Sequence, residues 1–266
     1  MGELAIYRKL IGARIRADLQ YRTSFFLFLF SQTLVAGLDL AVIAVLFTQV
    51  DSIAGWSVTE VALLYAVASL GFGLADLFIS EVELASRHIK AGTFDLFLLR
   101  PAGALVQLCA AEFAPRRLGR SIQPLVVLVI TLTRVDVGWT PVKVALVPTA
   151  VLSGSVIFGS IWVITSSLAF WAVETQEVAN SFTYGGVTLS GYPIDVFGTW
   201  LRRFVIFVVP VAFASYLPVA YLLGKPIPLD LPASLALLAP VVALTLALIA
   251  RATWRSAVRH YRSTGS

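Results

Sequence analysis

Residues 24–50 read SFFLFLFSQTLVAGLDLAVIAVLFTQV, an apolar run that contains one charged residue, Asp39. The run exceeds the about 20 residues that a helix needs to cross the hydrocarbon core of a bilayer. Similar runs recur along the chain, and they are continuous rather than alternating between apolar and polar residues, which argues against a membrane β-barrel. The sequence therefore predicts an all-α, polytopic membrane protein.

The composition supports this class. Hydrophobic residues make up 58% of the 266 residues and charged residues only 13%, which is too little polar surface for a soluble domain. The net charge of +5 does not indicate a nucleic-acid partner, because the charges cluster at the ends of the apolar runs, where lipid head groups lie. Cys109 is the only cysteine, so no intrachain disulfide is possible.

Six transmembrane helices are expected within residues 24–266. Residues 1–23 precede them and combine apolar residues at helical spacing with five Lys and Arg, a pattern typical of a helix at the membrane interface. The predicted spans cover about residues 24–50, 57–78, 121–138, 141–171, 178–195 and 232–250.

The segment over residues 196–225 is apolar but broken. Pro210 and Pro218 interrupt it, and Arg202 and Arg203 lie inside it. Two short re-entrant or interfacial helices on the external side fit this pattern better than one continuous span. A seventh crossing is the alternative.

The distribution of Lys and Arg predicts the orientation. Of the 20 such residues, 15 lie in residues 1–23, 79–121 and 251–266, and five lie in the remaining segments. The positive-inside rule therefore places both termini and the 79–121 loop in the cytoplasm, as six crossings require.

Motifs for catalysis are missing from the sequence. There is no Gly-rich phosphate loop, since the only Gly-Lys pair, Gly224-Lys225, is followed by Pro226. His88 and His260 fall outside the spans and belong to no metal-binding motif. We therefore expect no catalytic residue, no metal and no cofactor on this chain. An intramembrane enzyme is disfavoured for the same reason.

The loop over residues 79–103 is the most informative segment. It predicts a short amphipathic helix over residues 82–90 that stops near Gly92, followed by an apolar cluster over residues 94–99. A helix with a mixed charged and apolar face is suited to docking on a soluble partner. An ordinary loop with an apolar anchor is the alternative.

Two acidic residues fall within predicted spans. Asp39 lies near the middle of its span and Asp76 near the inner end of the second. A charge at mid-membrane costs about 2.5–3.5 kcal/mol, so both should face protein or water. They are candidates for lining a substrate path, and the alternative is a structural hydrogen bond or a pair with an arginine.

Three stretches resemble one family. IKAGTFDLFLLRP at residues 89–101, YRTSFF at 21–26 and SGYPID at 190–195 are similar to the type-2 ATP-binding-cassette (ABC) permeases. The resemblance is strongest to the small two-permease branch of daunorubicin- and viologen-type exporters, and it spans nearly the whole chain.

The resemblance implies a permease domain over residues 24–266 that pairs with a second six-span permease, in a hetero- or homodimer, within a bacterial-type inner membrane. Cytosolic ABC ATPase subunits would bind ATP and Mg and drive export. The 79–103 loop would be the coupling loop, with contacts to the ATPase from Glu83, Arg87, His88, Lys90, Gly92 and Thr93.

A second coupling contact is not assigned to residues 172–177, which hold Glu174 and Glu177 but no Lys or Arg. An ion-coupled secondary transporter of hydrophobic or cationic molecules is the main alternative, and Asp39 supports it. A structural scaffold would not need that charge. The substrate, the direction of transport and the choice between homo- and heterodimer stay open.

Overall fold

A computed structural model describes residues 3–100, 102–111, 113, 115–172 and 176–261. Within these ranges the chain is all-helical and forms no strand, which confirms the predicted class. The α-helices are α1 Glu3–Gln20, α2 Arg22–Leu46, α3 Val58–Ile79, α4 Ala85–Lys90, α5 Asp95–Leu98, α6 Ala104–Ala111, α7 Gly119–Leu132, α8 Pro141–Ser167, α9 Gln176–Ser190, α10 Thr199–Arg203, α11 Tyr216–Leu223 and α12 Ala239–His260.

Four helical segments are long and apolar enough to cross a membrane. They are Arg22–Leu46, Val58–Ile79, Pro141–Phe170 and Ala233–His260, and they coincide with four of the predicted spans. α7 and α9 have 14 and 15 residues, which is below the about 20 that a perpendicular crossing needs. Crossings at residues 121–138 and 178–195 therefore stay predictions.

α3 and α8 form the centre of the bundle. Buried residues make up 72% of the most apolar part of α3 but only 11% of that of α2, so α2 lies at the periphery. Close packing explains the position of Gly71, because a β-carbon there would lie 3.3 Å from the backbone of Val151 and Ser155 on α8. Small residues allow membrane helices to approach in this way.

α12 continues ten residues beyond the predicted end at residue 250. The extension is amphipathic: Trp254 and Ala257 are buried, whereas Arg251, Arg255 and Arg259 are exposed. Burial of one stripe against the protein stabilises helix past the apolar run, which a prediction based on hydropathy does not detect.

The broken segment folds into short helical pieces. α10 and a π-helical turn over Phe204–Val208 precede Pro210, and a 3₁₀ turn over Val211–Ala214 leads into α11. α11 has eight residues, too few for a crossing of its own. The position of these pieces relative to a membrane stays a prediction.

Polar contacts fasten this segment to the start of α3. Tyr216 donates a hydrogen bond from its hydroxyl to the Asp195 carboxylate at 2.6 Å, and the Trp56 indole donates to the same oxygen at 3.3 Å. The Lys225 ammonium lies 2.8 Å from a carboxylate oxygen of Glu60. The segment is therefore held at the N-terminal end of α3, opposite to the 79–103 loop.

α1 packs at the other end of the bundle. The Tyr7 hydroxyl donates to the carbonyl of Phe78 at the end of α3, at 3.3 Å, and Asp18 pairs with Arg116 at 3.5 Å. These contacts place α1 beside the C-terminal end of α3. Its location at a membrane interface stays a prediction.

Candidate functional site

The loop after α3 forms a compact projection, which we define as residues 80–100. A 3₁₀ turn over Ser80–Leu84 leads into α4, which ends at Lys90. Gly92 follows with a φ of +66°, a left-handed conformation that side-chain-bearing residues rarely adopt. The structure thus has the predicted glycine stop, although the first turn of the predicted helix is 3₁₀.

The six predicted coupling residues have different environments. Arg87 and Lys90 are exposed, whereas Glu83 is half-buried. His88 and Thr93 pair with each other, with 2.9 Å between the His88 Nδ1 and the Thr93 hydroxyl, and Gly92 makes the turn between them. The Thr93 side chain therefore closes the loop instead of capping α5. Contact of these residues with an ATPase stays a prediction.

Apolar side chains extend the exposed surface of the projection. Leu96, Leu98 and Leu99 are 57%, 45% and 81% exposed. We call these leucines, together with the exposed Arg87 and Lys90, the coupling face, after the role that the sequence resemblance predicts for the loop. Exposed leucines this close together are typical of a surface that binds another protein or a membrane.

An aromatic anchor holds the other side of the projection. Phe94 is fully buried and lies 5.1 Å from the ring of Phe170, at the end of α8, and 5.1 Å from Tyr261, which follows α12. Trp254 completes the cluster at 6.4 Å. The apolar cluster predicted over residues 94–99 therefore divides: Phe94 and Phe97 are buried, and the leucines are exposed.

The second acidic candidate, Asp76, belongs to a buried charged network. Its side chain is 4% exposed and accepts from Arg117 at 3.0 Å and from Arg120 at 3.3 Å. Arg117 also donates to Glu81 at 2.5 Å. The arginine pair that sequence reasoning left as an alternative is therefore present, and a direct contact of Asp76 with substrate stays a prediction.

Sequence reasoning missed Glu81, Arg117 and Arg120 as members of this network. The available signal was the spacing of Arg117 and Arg120, which are three residues apart and therefore lie on one side of a helical segment. An acidic residue at the inner end of a neighbouring span is the natural partner for such a pair.

Asp39 lies at an opening between helices. It lines two adjoining cavities of about 150 and 250 Å³, which we call the Asp39 cavity. Within the part of the chain that the structure describes, no cationic group lies within 4 Å of its carboxylate. The residues that line both cavities are Asp39, Tyr65, Ser69, Val187 and Thr188.

The wall of the smaller cavity is aromatic and basic. Phe72, Tyr184 and Arg120 line it, and the Arg120 guanidinium lies 5.4 Å from the Phe72 ring centre. A cavity with aromatic rings and ionised groups can hold an amphiphilic molecule. The structure thus brings one predicted path residue, Asp39, into the same cavity as a member of the Asp76 network.

Some residues of the predicted link and of the predicted family motif are not among those that the structure describes. Of the link over residues 172–177, Glu174 falls outside the described residues, and only the backbone of Glu177 is described. Pro101, the end of the family-like motif, also falls outside. Among the described residues, no group of three or more His, Cys, Asp or Glu is arranged to hold a metal ion.

Comparison with known proteins identifies the family. Residues 33–265 match the model of a family described as "ABC-2 family transporter protein". No curated protein and no solved structure gives a significant match. The matched region runs from α2 to beyond α12 and includes the projection, the charged network and the Asp39 cavity. This chain therefore belongs to the ABC-2 family of membrane permeases of ABC transporters.

Proposed function

We propose that this chain is the membrane-spanning permease subunit of an ATP-driven ABC exporter. It forms the substrate path together with a second permease subunit and takes its energy from separate cytosolic ATPase subunits, which bind ATP and Mg. The observation that carries this proposal is the projection, which is anchored on one side and exposes the mixed basic and apolar coupling face on the other. Family membership supports it independently.

The architecture of the projection suits the transmission of force. Its exposed side offers Arg87 and Lys90 for ionic contacts and Leu96 and Leu99 for burial in a groove of the partner. Its buried side packs through Phe94 against the ends of α8 and α12. The buried side therefore holds the projection in a fixed position on the bundle, so that a push on its exposed side is not absorbed by a loose loop.

The proposed topology has six crossings. Together with the four long helical segments, α7 and α9 would make up the six crossings. The helical pieces over residues 196–225 would lie on the external side. The concentration of Lys and Arg in residues 1–23, 79–121 and 251–266 supports a cytoplasmic location of both termini and of the projection. We infer a bacterial-type inner membrane, and the two-permease exporter branch, from the sequence resemblance.

The Asp39 cavity is the proposed part of the substrate path on this chain. Among the described residues no cation lies within 4 Å of the Asp39 carboxylate, and the positive charge of Arg120 in the same wall is paired with Asp76. The carboxylate and the aromatic rings of the wall therefore favour a cationic, amphiphilic substrate. An ion-coupled secondary transporter is the second candidate, because an acidic side chain at mid-span is also how such proteins bind a coupling ion. The coupling face distinguishes the two, since a secondary transporter needs no docking surface for an ATPase.

The deciding experiment is co-expression of this chain with the products of its neighbouring genes, followed by purification of the chain and a test for a co-purifying ATPase. The double variant Arg87→Glu/Lys90→Glu should retain much less ATPase than the wild type, because reversed charges repel the partner's acidic side chains. Arg203→Glu makes the same type of charge change on the segment predicted to be external, and it should leave association unchanged. Transport by the isolated chain with only an ion gradient, or undiminished association of the double variant, would contradict the proposal.

A further inference from the structure

We infer that Arg117 and Arg120 are positioning residues that transmit movement of the projection to the Asp39 cavity. The inference rests on the proposed function, because it concerns how the energy of the ATPase reaches the substrate path. It assigns the transmission to a specific network of charged side chains. The Phe94 anchor, which shares no residue with this network, has a different role.

An unbroken series of ionic contacts joins the two sites. Glu81, in the turn immediately before α4, contacts Arg117 at 2.5 Å, and Arg117 contacts Asp76 on α3 at 3.0 Å. Asp76 contacts Arg120 on α7 at 3.3 Å. Arg120 lines the cavity that also contains Asp39.

The last contacts of the series are between the Arg120 guanidinium and two aromatic rings. The Arg120 guanidinium lies 5.4 Å from the ring centre of Phe72 on α3 and 6.0 Å from that of Tyr184 on α9. Both rings line the same cavity as Asp39. A shift of Arg120 would therefore change the cavity wall on two helices at once, and it would also change the electrostatic potential at the Asp39 carboxylate.

Burial makes the network act as a unit. The side chains of Asp76 and Glu81 are 4% and 9% exposed, and those of Arg117 and Arg120 are each 27% exposed. Separation of one pair would remove an ionic contact from a buried carboxylate, which is costly at low dielectric. The network therefore favours joint movement of all four groups over the loss of a single contact.

The geometry requires arginine at position 117. Its Nη1 contacts Asp76 while its Nη2 contacts Glu81, so one planar guanidinium bridges two carboxylates on different elements. A lysine ammonium is a compact point charge on a flexible stem and does not reproduce this fork. Arg117→Lys should therefore keep the buried charge balanced but weaken the transmission.

The aromatic anchor does not reach the cavity. Among the described residues, the rings around Phe94 belong to Phe97, Phe170, Trp254 and Tyr261, and none of these lines the Asp39 cavity. We therefore assign the anchor to holding the projection in place and the charged network to transmission. The charged network can therefore be altered by substitution without changing a residue of the Phe94 anchor.

The test follows the accessibility of the cavity in the assembled complex. Thr188 is exposed and lines both parts of the Asp39 cavity, so Thr188→Cys serves as a reporter thiol for N-ethylmaleimide. The native Cys109 is buried and contributes little background. The labelling rate is measured in the complex with the ATPase, without nucleotide and with ATP plus vanadate.

We expect the labelling rate to differ several-fold between the two nucleotide conditions in the reporter protein. Arg117→Met should abolish this difference, and Arg117→Lys should reduce it, while the ATPase still co-purifies. Arg116→Met is the matched control: Arg116 is adjacent but pairs with Asp18, so the difference should persist. Arg117→Lys also keeps the test valid if Arg117→Met does not fold.

Three experimental results would each contradict a specific claim. An undiminished nucleotide-dependent difference in both Arg117→Met and Arg117→Lys would overturn the transmission role. The absence of labelling at position 188 in both conditions would show that the network does not end at a water-filled cavity, and it would overturn the inference too. Failure of the ATPase to co-purify with the wild-type chain would instead refute the proposed function.

Discussion

Gly119 lies so close to Leu29, where α7 crosses α2, that a β-carbon on Gly119 would be 2.2 Å from the Leu29 carbonyl oxygen. Thr33, one turn further along α2, donates a hydrogen bond from its hydroxyl to the Gly119 carbonyl at 3.0 Å. Two backbones thus meet without intervening side chains at the start of α7. The peripheral helix α2 depends on this contact, because little of its surface is buried.

Gly119→Ala should therefore destabilise the protein. Relief of the clash requires α2 and α7 to separate, and overpacking of this kind costs about 1–3 kcal/mol. A lower midpoint of thermal unfolding in detergent would show the effect. Gly37→Ala is the control, because a β-carbon there meets nothing within 4 Å; it should be neutral or slightly stabilising. Equal midpoints for Gly119→Ala and the wild type would refute the close contact.

The fold was predictable where the signal is local in sequence. Long apolar runs predicted α2, α3, α8 and most of α12, because length and hydropathy alone determine whether a helix can span a bilayer. The apolar run at residues 121–138 is longer than the helix that it forms, since α7 ends at Leu132. Length and hydropathy also missed the extension of α12, which is stabilised by tertiary burial of Trp254.

The candidate site was predictable only in part. The glycine at position 92 marked the end of α4, because a left-handed turn requires that residue type. The partners of Asp76 were not identified, since Arg117 is 41 residues away and a single sequence does not reveal which distant charges meet. The burial of Phe94 beside exposed Leu99 likewise depends on how α8 and α12 end.

Phe94→Ala should detach the projection from the bundle. Removal of a fully buried aromatic side chain costs about 3–5 kcal/mol, so we expect a lower unfolding midpoint and faster tryptic cleavage after Arg87 or Lys90. Leu99→Ala is the matched control, because Leu99 is 81% exposed. It should leave the midpoint unchanged but weaken binding of the ATPase. Equal trypsin sensitivity of Phe94→Ala and the wild type would contradict the anchor.

Cys109 should be unreactive in the folded protein. Burial, reinforced by the nearby Glu81 carboxylate, raises the pKa of its thiol to about 12, from an ordinary value of about 8.5. At pH 8 its thiolate fraction is then on the order of 10³-fold lower than that of an exposed cysteine. We expect negligible labelling by N-ethylmaleimide until denaturant is added, in contrast to Ala91→Cys.

The raised pKa of Cys109 also determines how the stability of the folded protein changes with pH. The unfolded chain releases the Cys109 proton near pH 8.5, whereas the folded chain retains it up to about pH 12. The thiol therefore contributes no pH dependence below about pH 8, and it lowers stability as the pH rises further. Rapid labelling of native protein at pH 8 would show that Cys109 is accessible.

Asp39→Asn removes the negative charge of the Asp39 side chain from the cavity with little change in shape. We expect weaker ATP-dependent export of a lipophilic cation such as tetraphenylphosphonium, by roughly tenfold in the half-saturating concentration, since bonds to a charged group contribute about 1.5–3 kcal/mol. Asp51→Asn, in the link between α2 and α3, is the control and should have no effect. Unaltered export by Asp39→Asn would reduce Asp39 to a packing residue.

The side of the membrane on which the projection lies decides whether a cytosolic ATPase can dock on it. Ala91 is exposed on it, so Ala91→Cys reports whether a membrane-impermeant maleimide reaches that site. We predict no labelling in intact cells, labelling in inverted membrane vesicles, and protection in those vesicles when the ATPase subunits are co-expressed. Labelling from outside intact cells would place the projection on the external face and would contradict docking of a cytosolic ATPase.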